Sequence, residues 1–208
     1  MPAYFSLRFE LYKSQDAISA FCEALIHSGL VFKSGYWGFE NESYDDIIIW
    51  NQNKLDEDFE LGYTEHYSHD YKQMLFDYFD FSEVRLFIMN NRKEPTFSFE
   101  LIVPEYDLLD YTEESGGKYS VQRKTERMEQ LKSVAKKMWT GTATLAIQTG
   151  WEESDIPPSA GEIAKGIKPQ TEPFCIINSS SVEKESALVY EYIERGGVLI
   201  EDITKWNY

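Results

Sequence analysis

A strict alternation at the N-terminus sets the terms for the rest of the chain. Phe5, Leu7, Phe9 and Leu11 interleave with Ser6, Arg8, Glu10 and Tyr12, the period of a strand with one apolar face. Ile18, Phe21, Cys22, Leu25 and Ile26 come next at i, i+3, i+4, i+7 and i+8, the stripe of an amphipathic helix. Ser14 stands at the N-cap position and Gly29 at the stop. A second strand, Leu30 to Tyr36, comes directly after. Strand, helix, strand is therefore the clearest statement in the sequence, and much of the remaining chain repeats it.

Beyond Trp37 lies a loop, Gly38 to Asp46, and then Ile47-Ile48-Ile49-Trp50, which reads as a short buried strand. Asn51 to His69 has no clean period. Tyr71, Met74, Leu75, Tyr78 and Phe79 predict a helix, and Val84 to Asn90 a strand. The pattern restarts at Phe97, Phe99, Leu101 and Val103. After an insertion over residues 104–119, Val121, Met128, Leu131, Ala135 and Met138 predict a long helix ending at Gly141. Strands at Thr142 to Thr149 and Phe174 to Asn178, a helix at Ser186 to Ile193 and a strand at Val198 to Ile203 complete the chain.

Each half thus carries the order βαββαβ. The expected fold is α+β, two tandem ferredoxin-like units with mainly antiparallel sheets, residues 1–92 and 93–208. Asn90 to Glu94 is too short for a free linker, so the units must pack together. The same five residues also suit a hairpin turn, which would make one continuous sheet. Phe21, Leu25, Leu131 and Met138 are expected in the core.

Charge narrows the function classes. The 208 residues carry 20 Lys and Arg against 36 Asp and Glu, a formal net of -16. Met1 to Arg92 holds 7 basic and 16 acidic residues (7 − 16 = −9) and the remainder 13 and 20 (13 − 20 = −7). Both halves are acidic, which repels nucleic-acid phosphates and anionic membranes and favours basic partners. No signal peptide precedes Tyr4 and no apolar run approaches a bilayer span, so a cytoplasmic location is expected. Cys22 and Cys175 both lie in apolar settings and predict small core residues rather than a disulfide framework.

Catalytic and cofactor signatures are not found: no phosphate loop around Ser115-Gly116-Gly117-Lys118, no nucleophile elbow, no cofactor motif. His66 and His69, with Glu65 and Asp70, have metal-ligand chemistry but lack a third His or Cys nearby, so no metal is expected. One helix is basic: Arg123, Lys124, Arg127, Lys132, Lys136 and Lys137 against Glu126 and Glu129. Its +4 sits in a field of -20 from the rest, which favours a solvated face over a nucleic-acid contact.

The remaining signal is a pair of acidic, aromatic segments. Asp56, Glu57, Asp58, Glu60, Tyr63 and Tyr67 fall in the first, and Tyr106, Asp107, Asp110 and Tyr111 in the second. Tyr is a favoured interface anchor, and carboxylates around it select basic partners. In its acidic, cysteine-poor composition and in the stretches Gly35 to Asp46 and Asn51 to Tyr67, the chain resembles bacterial immunity proteins of toxin systems. That resemblance is at class level and implies a non-catalytic protein that blocks a basic cognate toxin, for instance a nuclease. The alternatives are an enzyme or small-ligand protein using a cleft between the units, and a nucleic-acid mimic.

Overall fold

The computed structural model describes residues 3–62, 71–114, 117–152, 154–202 and 204. The chain runs β1 (Tyr4–Tyr12), α1 (Ala17–His27), β2 (Val31–Gly35), α2 (Tyr44–Asp56), β3 (Met74–Asp77), β4 (Val84–Met89) and β5 (Thr96–Pro104). A short hairpin comes next, β6 (Leu109–Glu114) and β7 (Lys118–Arg123), then α3 (Thr125–Gly141), β8 (Ala146–Trp151) and α4 (Ala160–Ile163). Last come β9 (Phe174–Asn178), β10 (Leu188–Ile193) and β11 (Gly197–Asp202). The fold is α+β, built on a large antiparallel sheet with few helices.

Nine strands form that sheet in the order β10-β11-β9-β8-β1-β5-β4-β3-β2, while β6 and β7 pair apart from it. β1 sits inside, with Leu7 opposite Leu101 on one side and Thr149 on the other. Its neighbours β5 and β8 both come from beyond residue 92, so the strand that opens the chain is completed only by its later part. The segment between β4 and β5 is the turn of a hairpin in which Leu86 faces Leu101 and Ile88 faces Phe99. The sheet therefore continues across residue 92. The doubled βαββαβ order expected from the periodicity is replaced by β-α-β-α-β-β-β in the N-terminal part, followed by the small hairpin.

Four local readings change. Ile47 to Trp50 is part of α2, not a strand. Ser43 caps that helix by accepting from the Asp46 amide at 3.2 Å, Asp45 and Asp46 sit in the first turn, and Ile47, Asn51 and Leu55 are buried one turn apart. Cap, dipole and a buried stripe together outweigh the β preference of three isoleucines. Met74 to Asp77 is strand β3, because Met74 and Phe76 turn to the core and Leu75 away from it. Leu188 to Ile193 is strand β10, paired with β11 through the Glu194 to Gly196 turn. The long helix α3 begins at Thr125, and Val121 belongs to β7.

The core lies on one side of the sheet. Phe5, Leu7, Phe9 and Leu11 of β1 meet Ile18, Phe21 and Leu25 of α1, Ile47 and Leu55 of α2, and Met128, Leu131, Ala135 and Met138 of α3. Phe21 stacks on Phe99 at 3.9 Å and meets Phe9 edge-on at 5.2 Å. The expected core residues Phe21, Leu25, Leu131 and Met138 are all fully buried. Among the described residues no helix is long and apolar enough to cross a membrane.

A smaller core occupies part of the opposite side. Ala146, Cys175, Ile177, Val198 and Ile200 of β8, β9 and β11 are covered there by Ile163, Ala160 and Val182. Alternation makes this possible, since Ile147, Ile176 and Leu199 serve the main core from the same strands. Among the described residues no helix covers the rest of this side.

Candidate functional site

The uncovered stretch forms a groove of about 970 Å³ that crosses β3, β4, β5, β1 and β8. Its floor is the outward-facing set of the same alternating strands. Ser6, Arg8, Leu75, Arg85, Phe87, Glu100, Ile102 and Gln148 line it. The register stacks them in rows: Arg8 lies opposite Glu100 and Gln148, and Glu100 lies opposite Phe87.

Charge inside the groove is partly compensated within the chain. Arg8 Nε stands 3.6 Å from Glu100 Oε1, with the two side chains 23% and 12% exposed. Burial pushes the Glu100 carboxyl up to about 7, with Arg8 pulling the other way. Arg85 lies between two aromatic rings, 4.5 Å from the Tyr36 centroid and 5.0 Å from that of Tyr4. Its Nε is 3.6 Å from Glu83, which also accepts from the Tyr4 hydroxyl at 3.3 Å. Stacking and a nearby carboxylate keep this guanidinium planar against the floor.

Two walls rise from opposite ends. At one end, Trp37 follows β2 with φ 43, in the left-handed region, and its side chain is 74% exposed. At the other, the chain after β8 turns back over the sheet edge of the groove. Gln148 fixes this wall, donating to the Pro158 carbonyl at 2.7 Å and accepting from the Gln170 amide at 2.9 Å. A Cβ on Gly150 would meet Gln170 Nε2 at 2.5 Å, so a larger residue there would displace the Gln170 side chain that now lies against the strand. Ile156, 85% exposed, stands on this side. Exposed carboxylates mark both ends: Glu40 near Trp37, and Glu152 and Asp155 near Ile156. The Gly38 amide donates to Glu40 and holds its carboxyl below the ordinary range.

The residues singled out from the sequence fall in two other places. Asp56, Glu57, Asp58 and Glu60 lie at the C-terminal end of α2. Asp56 accepts from Gln52 at 2.8 Å, Glu57 pairs with Lys54 at 3.7 Å and Asp58 with Lys13 at 2.8 Å. Glu60 is exposed. Tyr63 and Tyr67 lie outside the described residues, as do Glu65, His66, His69 and Asp70. The second segment is a single 3-10 turn plus the β6–β7 hairpin. Asp107 is buried and accepts from both the amide and the hydroxyl of Ser82 at 2.8 Å. Asp110 pairs with Lys124 at 3.2 Å, while Tyr106 and Tyr111 are about half exposed. No hydrogen bond or ion pair joins the two segments among the described residues.

The basic helix is engaged internally. Lys132 pairs with Glu129 at 2.7 Å and Glu201 at 2.5 Å, Lys136 with Glu191 at 2.7 Å, and Arg127 with Asp80 at 3.7 Å. Lys137 donates to the Ser28 carbonyl and Lys124 to that of Tyr106. Arg123 is buried. Cys22 and Cys175 are buried thiols, each pushed up to about 12 by that burial, which leaves no reactive thiolate at neutral pH. Among the described residues no group of three His, Cys, Asp or Glu side chains could hold a metal ion.

Sequence reasoning missed the groove. Its signal was present in the even-numbered positions of β1, where Ser6 and Arg8 alternate with core residues, and in Glu100 at the matching position of β5. Opposite charges at central strand positions, each flanked by core residues, announce a sheet face that is polar yet partly shielded. No protein-family model, no curated protein and no solved structure matches the chain.

Proposed function

We propose that this chain is a non-catalytic binding protein whose partner is a basic protein, a cognate toxin in the manner of bacterial immunity proteins. One observation carries the reading. The cations of α3, in the most basic stretch of the sequence, are tied to neighbouring carboxylates and carbonyls, so that stretch offers a partner little free positive charge against the net -16 of the chain. Such a field accelerates encounter with a cationic surface and repels phosphate backbones. Half-exposed Tyr106 and Tyr111 beside Asp110 add aromatic anchors within that field.

The test is capture of a partner by the immobilised full chain from its own cell extract at low salt, followed by binding of the purified partner. The expected partner is a protein of positive net charge that binds saturably, with association slowing steeply as salt rises from about 0.01 to 0.15 M. A partner that is acidic, a bound small molecule instead of a protein, or association indifferent to salt would overturn the proposal.

A further inference from the structure

We infer that the helix-free groove is the docking site for an extended, arginine-bearing segment of that basic partner; the inference rests on the binding reading above. Three independent features converge on it. The two most exposed large apolar side chains among the described residues, Ile156 at 85% and Trp37 at 74%, both line this groove, one at each end. Between them the floor offers Leu75, Phe87 and Ile102. An apolar strip bounded by exposed anchors is a surface waiting for a cover, as the matching part of the same sheet side is covered by Ile163 and Val182.

Charge then selects the cover. Arg8 and Arg85 stand beside Glu100 and Glu83, and the exposed carboxylates facing the occupant are Glu40, Asp155 and Glu152, the last also accepting from the Tyr4 amide at 3.1 Å. Asp155 makes no ion pair among the described residues. Gln73 lines the groove, and the carbonyl oxygen of its amide is buried without a hydrogen-bond partner among the described residues. The occupant should therefore bring cations to the ends, apolar contact to the middle and a polar group to Gln73. Planar guanidinium groups suit both the carboxylates and the exposed indole.

Length fits as well. From β2 to β8 the sheet order counts five strand spacings, about 24 Å at roughly 4.8 Å each, the reach of about seven extended residues. A small molecule would leave one end empty.

The probe is the heptapeptide Arg-Arg-Leu-Gln-Leu-Arg-Arg, titrated into the isotope-labelled full chain at about 0.15 M salt and followed by amide and indole NMR shifts. Shifts should centre on the Trp37 indole N–H and the Gly150 amide. Trp37→Ala combined with Ile156→Ser should weaken binding about tenfold or more, while Tyr192→Ala, at a comparably exposed ring outside the groove, leaves it unchanged. Both groove positions are exposed, so the double variant should keep its fold, verified by an unchanged amide spectrum elsewhere. Shifts spread evenly over the carboxylates, shifts centred on the β6–β7 hairpin, or none by about 1 mM peptide would each overturn the groove as the site. The double variant also separates this inference from the reading beneath it. A basic protein captured equally by the variant and the natural chain sinks the groove alone; one captured by neither sinks the binding function itself.

Discussion

One side of the sheet is closed over β8, β9 and β11 and open over β3, β4, β5 and β1, and the two parts differ in what alternation placed there. The closed part presents Ala146, Cys175, Ile177, Val198 and Ile200, with Ala160, Ile163 and Val182 over them, and the one carboxylate at its border, buried Glu10 opposite Ala146, is met by the Ala160 amide at 2.6 Å. The open part mixes Leu75, Phe87 and Ile102 with Arg8, Arg85 and Glu100. A covering segment over those charges would have to desolvate them, a loss that a few apolar contacts do not offset. Cross-strand pairing makes the charges tolerable at a half-buried surface without making it dry. A single carboxylate, Glu10, is covered because a backbone amide meets it, whereas the rows of Arg8, Arg85 and Glu100 have no such donor or acceptor above them among the described residues and stay open.

The sharpest way to break this contrast is to put a charge on the closed part. Ile177→Asp places a carboxylate in a dry site with no cation, and should cost about 4 kcal/mol in denaturant unfolding at neutral pH. A cost below about 1 kcal/mol would show that the closed part is wet and the distinction false. A gentler change removes only the cover: Ile163 is 3% exposed, and Ile163→Ala should cost about 2 kcal/mol, the low end for such truncations because a one-turn helix can settle into the gap.

On the open part the expected effect is a pH dependence. Burial holds the Glu100 carboxyl at about 7 against an ordinary 4.5, so the folded chain keeps a proton that the unfolded chain has released. Stability from this group is full below about pH 4.5 and is lost as pH rises to and past 7. Glu100→Gln removes that loss. The difference in unfolding midpoint between variant and natural chain should therefore move in the variant's favour from about pH 5 to pH 8, and a flat difference would place Glu100 in water. The smallest effect belongs to Trp37. Its left-handed φ of 43 costs a non-glycine residue about 1 kcal/mol, so Trp37→Gly should stabilise by up to that amount while weakening binding of the arginine-ended heptapeptide. Thermal unfolding and the peptide titration, run on one sample, measure both.

Much of the local structure was legible because it depends on near neighbours in the chain. The alternation of Phe5 to Leu11 and the stripe from Ile18 to Leu25 are statements about period, and both survive into β1 and α1. Where two periods compete, as at Tyr71 to Phe79, spacing alone misled, because apolar residues at 71, 74, 75, 78 and 79 satisfy a helix template although the chain forms a strand there. At Ile47 to Trp50 the decisive facts were a cap at Ser43 and a buried face, and only the first is written nearby. The acidic segments were visible as composition, but their carboxylates answer Lys13, Lys54, Ser82 and Lys124, partners that lie up to 45 residues away.

The sequence by itself determined an acidic α+β chain, the period of its first strand and helix, and which residues would be buried beneath α1 and α3. Tertiary structure alone decided that β1 is shared between β5 and β8, that nine strands form one sheet across residue 92, and that Arg8 meets Glu100 on an uncovered side. The division has a physical cause. Periodicity fixes which way each side chain points, a local property of the backbone, whereas the groove exists because strands some 90 and 140 residues apart align their outward rows, and register of that kind is set by the packing of the whole core.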